Sequence, residues 1–478
     1  MRRTTLSVLS ALAILLSGMI VPEAAAQSRR DKEQTYVLEK PYEVKKLVPP
    51  TGKKIKNVIL MIGDGMSLMH MYSAWTANRG KLWLDNSQYT GLSKTYCANR
   101  LITDSGAGGT ALATGHKTNY HMVGVDPEGK PLESLATLAN KKGLSSGIAV
   151  TCRLWDATPA DFCCHNTDRD AEAEIVADYV NCGVDYVFGG GSKLFENRAD
   201  GRDLFKELRE KGYQTPRSWE ELAKIQKGKV FCVTDTVDTP LPAERGDLLA
   251  RASMKAIDLL GQNPEGFFLM VEGGKIDWAC HANDAATVFN EVKDMDDAIK
   301  VAYEFYKKHP KETLIVVTAD HETGGIVLGT GRYELNLKAL QYQKHSADGL
   351  SKQISELRKS KGNKVTWEDM KEFLGNEMGF WKQFPISWEQ EKKLRDEFEQ
   401  SFVRNKVVFA ESMYSKSEPM AARAKEVMDQ ISMVGWVSGG HSAGYVPVFA
   451  IGAGSQLFGE KIDNTEIPKR IAKAAGYK

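Results

Sequence analysis

The sequence predicts an α/β fold: a central, mostly parallel sheet with helices on both faces, and an inserted, mostly helical segment before the last core strand. Two observations carry that prediction. Short apolar, β-branched runs recur between longer amphipathic stretches, at residues 58–62, 146–151, 185–188, 230–234, 267–271, 314–318 and 446–451. Strands that alternate with helices pair mostly in parallel and need cover on both faces. Residues 332–425, by contrast, are charged, contain aromatics and run mostly at helical period, with one strand-like stretch around residues 406–410. They read as an insertion between the last two core strands.

The chain starts with the features of an export signal. Arg2 and Arg3 precede an apolar stretch over residues 9–21, and Ala24, Ala25 and Ala26 supply small residues before Gln27. Cleavage after Ala26 is expected, giving an exported protein, periplasmic or secreted. That apolar stretch is short for a bilayer, and no later run approaches the roughly 20 apolar residues of a transmembrane helix, so no membrane span is expected. Residues 27–54 are polar, carry Pro49 and Pro50, and read as an irregular lead-in to a single α/β domain over residues 55–478.

Charge narrows the function. The 478 residues hold 63 Lys and Arg against 62 Asp and Glu, and removing residues 1–26 leaves the two signs equal. Nothing there points to nucleic acid or an anionic membrane surface, and a small, neutral-to-anionic ligand fits better. Seven cysteines are too few for a disulfide scaffold in a chain this long, and their odd number leaves at least one without an intramolecular partner.

In open sheets of this kind, ligands bind beyond the carboxyl ends of the strands, and there the chain is rich in chemistry-bearing residues. Asp64 lies between two glycines after the first run, a position that ordinary turn chemistry also explains. Asp104-Ser105 leads into a small-residue stretch that can form a helix. A Ser at such an N-terminus faces the positive end of the dipole, or simply caps it. Asp156 and Thr158 carry oxygens suited to a hard cation, and Arg169 has the planar fork of a phosphate clamp. Asp277 and His281 are four apart, so one helical turn points both to the same side as metal ligands, close to Glu272. Asp320 and His321 emerge side by side from a strand, and His441 sits in a glycine-flanked loop before the last one. Mixed imidazole and carboxylate sets suit Zn²⁺ and all-oxygen sets suit Mg²⁺; the donors suffice for two zinc sites and one magnesium site.

These segments, in this order, resemble the alkaline phosphatase family from Asn57 to about Ala453 outside the insertion. The resemblance implies that Ser105 is the nucleophile, transiently phosphorylated. It implies that Asp277, His281 and His441 bind one zinc ion and Asp64, Asp320 and His321 a second. Asp64, Thr158 and Glu272 would form a magnesium site, with Asp156 reaching that ion through water and Arg169 holding the phosphoryl oxygens. The expected activity is hydrolysis of small phosphate monoesters, and homodimers are common in the family. Two alternatives are a related metal core acting on phosphodiesters or phosphonates, and a non-catalytic metal-binding protein. One departure is Trp278, which stands where several relatives carry Lys or His; beside Asp277 it would either lie at the rim of the phosphate pocket or pack against the core.

Overall fold

The computed structural model describes residues 55–477, apart from 239, 240, 332 and 415, together with a few residues between 33 and 45. The expected export signal, residues 1–26, lies outside the described residues. Among the described residues, nine strands form the main sheet. In chain order they are β1 (Asn57–Gly63), β2 (Tyr89–Lys94), β3 (Ser145–Arg153), β4 (Tyr186–Gly190), β5 (Val230–Val233), β6 (Phe267–Gly273), β7 (Thr313–Thr318), β8 (Tyr445–Gly452) and β9 (Lys461–Asp463). Across the sheet the order is β9-β2-β8-β7-β1-β6-β3-β4-β5. The helices that build or support the site are α1 (Ser105–Thr114), α2 (Ala157–Asp161), α3 (Leu248–Leu260), α4 (Lys275–His281), α5 (Ala285–Lys308), α6 (Ala347–Ser360), α7 (Trp367–Glu377), α8 (Trp388–Phe398), α9 (Pro419–Ser432) and α10 (Glu466–Ala475).

The central strand β1 shows why the sheet is covered on both sides. Val58, Leu60 and Ile62 enter one apolar core and Ile59 and Met61 the other, all fully buried. Successive side chains of a strand point to opposite faces, so a run apolar at every position needs helices on each. Leu249, Ala252 and Ala256 of α3, with Val288, Met295 and Ile299 of α5, cover one face. Ile467 and Ile471 of α10 belong to the other core.

All seven apolar runs are strands of this sheet, and most pairings are parallel: β1 with β6 and β7, β3 with β6 and β4, β4 with β5. The exception matters for the site. Strand β8 runs antiparallel to both β7 and β2, so its start lies beside the carboxyl end of β7.

Between β7 and β8 the chain is mostly helical, and α6 to α9 contribute Leu350, Met370, Leu374, Leu394, Phe398, Met420 and Val427 to a third core, which Phe289 of α5 also enters. The boundary expected at residue 425 falls inside α9, because Pro419 starts that helix, Glu418 caps it through the amides of Met420 and Ala421, and it runs on to Ser432. The stretch read as strand-like around 406–410 contributes only Ala410, which with Glu411 pairs against Lys416–Ser417 in a small hairpin. Two short antiparallel pairings clasp the base of this segment, His441–Ser442 on Glu322–Thr323 and Val327–Leu328 on Val434–Gly435. All seven cysteines are free thiols and six are buried.

Candidate active site

The polar residues singled out by the sequence gather where the parallel strands end. Asp64 follows β1, Glu272 is the penultimate residue of β6, Asp320 and His321 follow β7, and Asp156 and Thr158 follow β3. These four strands are neighbours in the sheet, so their carboxyl ends form one edge. His441 reaches the same edge because β8 runs the other way and because His441 pairs with Thr323 across the clasp. Gly65 turns the chain sharply here. Its φ is +65°, and a Cβ would come within 2.5 Å of Thr323 Oγ1 and 2.9 Å of Asp277 Oδ1.

Ser105 is the first residue of α1, and its hydroxyl is not the cap. Asp104 takes that role, accepting from the Ala107 amide at 3.2 Å. Asp104 also accepts from the His121 amide at 3.2 Å and from Arg169 Nη1 at 3.0 Å. Burial alone would raise the Asp104 carboxyl, but Arg169 and these two amides hold it below the ordinary carboxylate value. The buried Ser105 Oγ instead lies 3.2 Å from His321 Nε2. Helix α1 packs close to α2 through Gly109, where a Cβ would meet Asp161 Oδ2 at 2.2 Å. Thr110 donates to Asp161 at 2.7 Å, which locks α2 and with it Thr158.

Two clusters flank Ser105, and each has three donor atoms within 4.8 Å of one another: Asp277, His281 and His441, and Asp64, Asp320 and His321. In the first, α4 brings His281 Nε2 to 3.3 Å from Asp277 Oδ2, the one-turn geometry that the spacing implies. His281 uses Nδ1 on the Gly439 carbonyl at 2.6 Å, and His441 uses Nδ1 on the Thr103 carbonyl at 2.9 Å. A carbonyl can only accept, so each Nδ1 carries the proton and both Nε2 atoms face inward, 3.1 Å apart. In the second cluster His321 Nε2 is 3.1 Å from Asp320 Oδ2 and 3.5 Å from Asp64 Oδ1. Its ring stacks on His441 at 3.7 Å, joining the two groups.

Arg169 brings positive charge to this edge but is ion-paired with Asp104, and buried oxygens are left unmatched. Asp64 Oδ1, Thr158 Oγ1, Glu272 Oε1, Asp277 Oδ2 and Asp320 Oδ2 are buried without a hydrogen-bond partner among the described residues. Burial, then repulsion from Asp320 and Asp277, pushes Asp64 well above its ordinary value. Glu272 is likewise pushed up, by burial first. His441 is pushed down to about 4 by burial and by His321, so its imidazole is neutral near pH 7 and can act as a ligand. Buried oxygens without donors beside inward imidazoles are the donor set of bound cations, not of a dry core. Asp156 sits apart, its Oδ2 accepting the Arg153 amide at 3.0 Å.

A cleft of about 410 Å³ opens over the edge, lined among others by Asp104, Arg153, Asp156, Arg169, Tyr414 and His441. Tyr414 had no signal in the sequence: it belongs to the turn of the small hairpin and reaches the cleft only through the fold. Of the two readings of Trp278, the structure shows the packed one. The residue is 9% exposed and packs in the apolar core, with Tyr414 stacked on it at 4.9 Å and Lys275 Nζ 3.1 Å from its ring centroid. Tyr414 and Arg153, not the indole, form the cleft wall there, because a large apolar ring is more stable beneath other side chains than in water. Trp278→Lys should therefore destabilise the fold by about 3 kcal/mol, since it loses the stack and sets an ammonium against Lys275. Thermal melting measures this, and an unchanged melting temperature would return Trp278 to the pocket rim.

A family model described as alkaline phosphatase matches residues 55–477. The chain is 33% identical over 439 residues to alkaline phosphatase 4 of Bacillus subtilis, covering 88% of each chain. It is 31% identical over 502 residues to alkaline phosphatase 3 of the same organism, covering 99% of this chain and 96% of the relative. Its fold matches the crystal structure of a cold-active alkaline phosphatase from Shewanella sp. with a TM-score of 0.76 and 30% identity, over 88% of this chain and 99% of that one.

Proposed function

The chain belongs to the alkaline phosphatase family and hydrolyses phosphate monoesters, and from that premise we propose that it does so through a phosphoserine on Ser105. The observation that carries the proposal is the Ser105 hydroxyl, free of capping duty and 3.2 Å from His321 Nε2 beside both clusters. Asp277, His281 and His441 would hold one zinc ion, Asp64, Asp320 and His321 a second, and Asp64, Thr158 and Glu272, with Asp156 through water, a magnesium ion. When bound, these ions supply the positive charge that a monoester dianion requires and lower the pKa of the attacking hydroxyl and water.

The protein's own groups do the rest. Ser105 Oγ, at the positive end of the ten-residue helix α1, gives up its proton and attacks phosphorus in line, and the alcohol departs from the opposite side. Arg169, fixed by Asp104, aims its fork at the non-bridging oxygens and compensates their charge. Water then attacks the phosphoserine from the side that the alcohol left, and phosphate leaves with Ser105 restored. The same reading includes export with residues 1–26 removed, and a homodimer. Among the described residues no helix is long and apolar enough to cross a membrane.

Arg169→Ala tests the substrate class. It should lower kcat/KM for an aryl phosphate monoester on the order of 100-fold, the size of two lost charge-assisted hydrogen bonds, and weaken inhibition by phosphate. An aryl phosphodiester, which has lost one charged oxygen, should be affected far less. Equal losses on both substrates would leave Arg169 a structural residue.

A further inference from the structure

Arg169 is held at two points, and only one of them belongs to the sheet edge. Asp104 takes Nη1 at 3.0 Å, while Nη2 donates to the Tyr414 hydroxyl at 3.3 Å. Tyr414 comes from the hairpin of Ala410–Glu411 and Lys416–Ser417, in the segment between β7 and β8, about 245 residues along the chain from Arg169. Its ring is fixed independently of that hydrogen bond. One face stacks on Trp278 at 4.9 Å with the planes 6° apart, and the ring also meets the His281 imidazole edge-on at 5.3 Å. Trp278 is in turn held on α4, between the ligand candidates Asp277 and His281.

From this arrangement we infer that Tyr414 is a positioning residue: it fixes the roll of the Arg169 guanidinium so that the remaining N–H donors face the phosphoryl oxygens. A guanidinium tied only through Nη1 can turn about that contact. Tied through both terminal nitrogens, it has one orientation, and two of its five N–H groups are spent on setting it. The stacked pair of Tyr414 and Trp278 transmits the position of α4 to the clamp, so the fork and His281 are set from a common support. The inference rests on the proposed role of Arg169 and deepens it.

A double-mutant cycle on the purified, metal-loaded protein tests it. Tyr414→Phe keeps the ring and its stack and removes only the hydroxyl. It should lower kcat/KM for an aryl phosphate monoester about tenfold, the effect of one hydrogen bond to a charged group, and weaken phosphate inhibition to a similar extent. The rate on an aryl phosphodiester should stay within about twofold, because the fork contributes little there. In the Arg169→Ala background Tyr414→Phe should cause no further loss, the mark of two residues acting as one unit. An equal loss in both backgrounds, a matching loss on the diester, or no loss where Arg169→Ala alone is costly would each overturn the positioning role while leaving the clamp intact. A monoester rate untouched by Arg169→Ala would overturn the clamp, and this role with it.

Discussion

Ser105→Ala should lower turnover of a phosphate monoester by at least about a thousandfold while the bound metal stays in place, because the two-step route loses its covalent acceptor and the ligands remain. The structure makes this a clean variant. The hydroxyl caps nothing, has His321 as its side-chain partner and lies at the first position of a helix that Asp104 caps, so the fold should change in stability by less than about 1 kcal/mol. Metal analysis, melting and assay of the same preparation separate the possibilities. Near-normal turnover would mean that water attacks the ester directly and that Ser105 only lines the site.

Removing the ions should have the other large effect. Exhaustive chelation should abolish hydrolysis, and Zn²⁺ with Mg²⁺ should restore it, since Arg169 is already ion-paired with Asp104 and five buried oxygen atoms have no hydrogen-bond partner among the described residues. Stability should move as well. Ions that bind only the folded state stabilise it by about 4 kcal/mol at a thousand times their Kd, so the chelated protein should melt at a lower temperature and regain its melting point with added metal. Acid should act in the same direction as chelation, because the imidazoles and carboxylates must be deprotonated to hold a cation. Full activity in protein shown to be free of metal would contradict the site.

The sequence revealed most of the fold because this sheet is buried on both faces, where a strand must be apolar at every position. Strand β2 was not legible. Its residues mix exposed and buried positions without a clean alternation, and Thr90, Ser93 and Lys94 make it read as a polar connection. Strand β9, three residues long, is too short to show any period. The direction of β8 could not be read either, since an apolar run looks the same from both ends, yet it is this direction that delivers His441.

At the site, legibility followed distance along the chain. Asp277 with His281, and Asp320 with His321, announce themselves by local spacing. For Ser105 the local sequence leaves nucleophile and cap both open, and in the fold Asp104 is the cap. The Tyr414 layer was invisible, because its place over Trp278 depends on a hairpin folding back from more than a hundred residues away. For Trp278 the sequence leaves rim and core open, because it does not show what lies on top of the indole.

The central claim is the covalent intermediate, and the stereochemistry of phosphoryl transfer tests it most directly. A monoester made chiral at phosphorus with oxygen isotopes is turned over in the presence of an alcohol acceptor, and the configuration of the transferred phosphoryl group is determined. Two in-line displacements, first by Ser105 and then by the acceptor, predict net retention. Net inversion would mean a single displacement on the substrate, with no phosphoserine between.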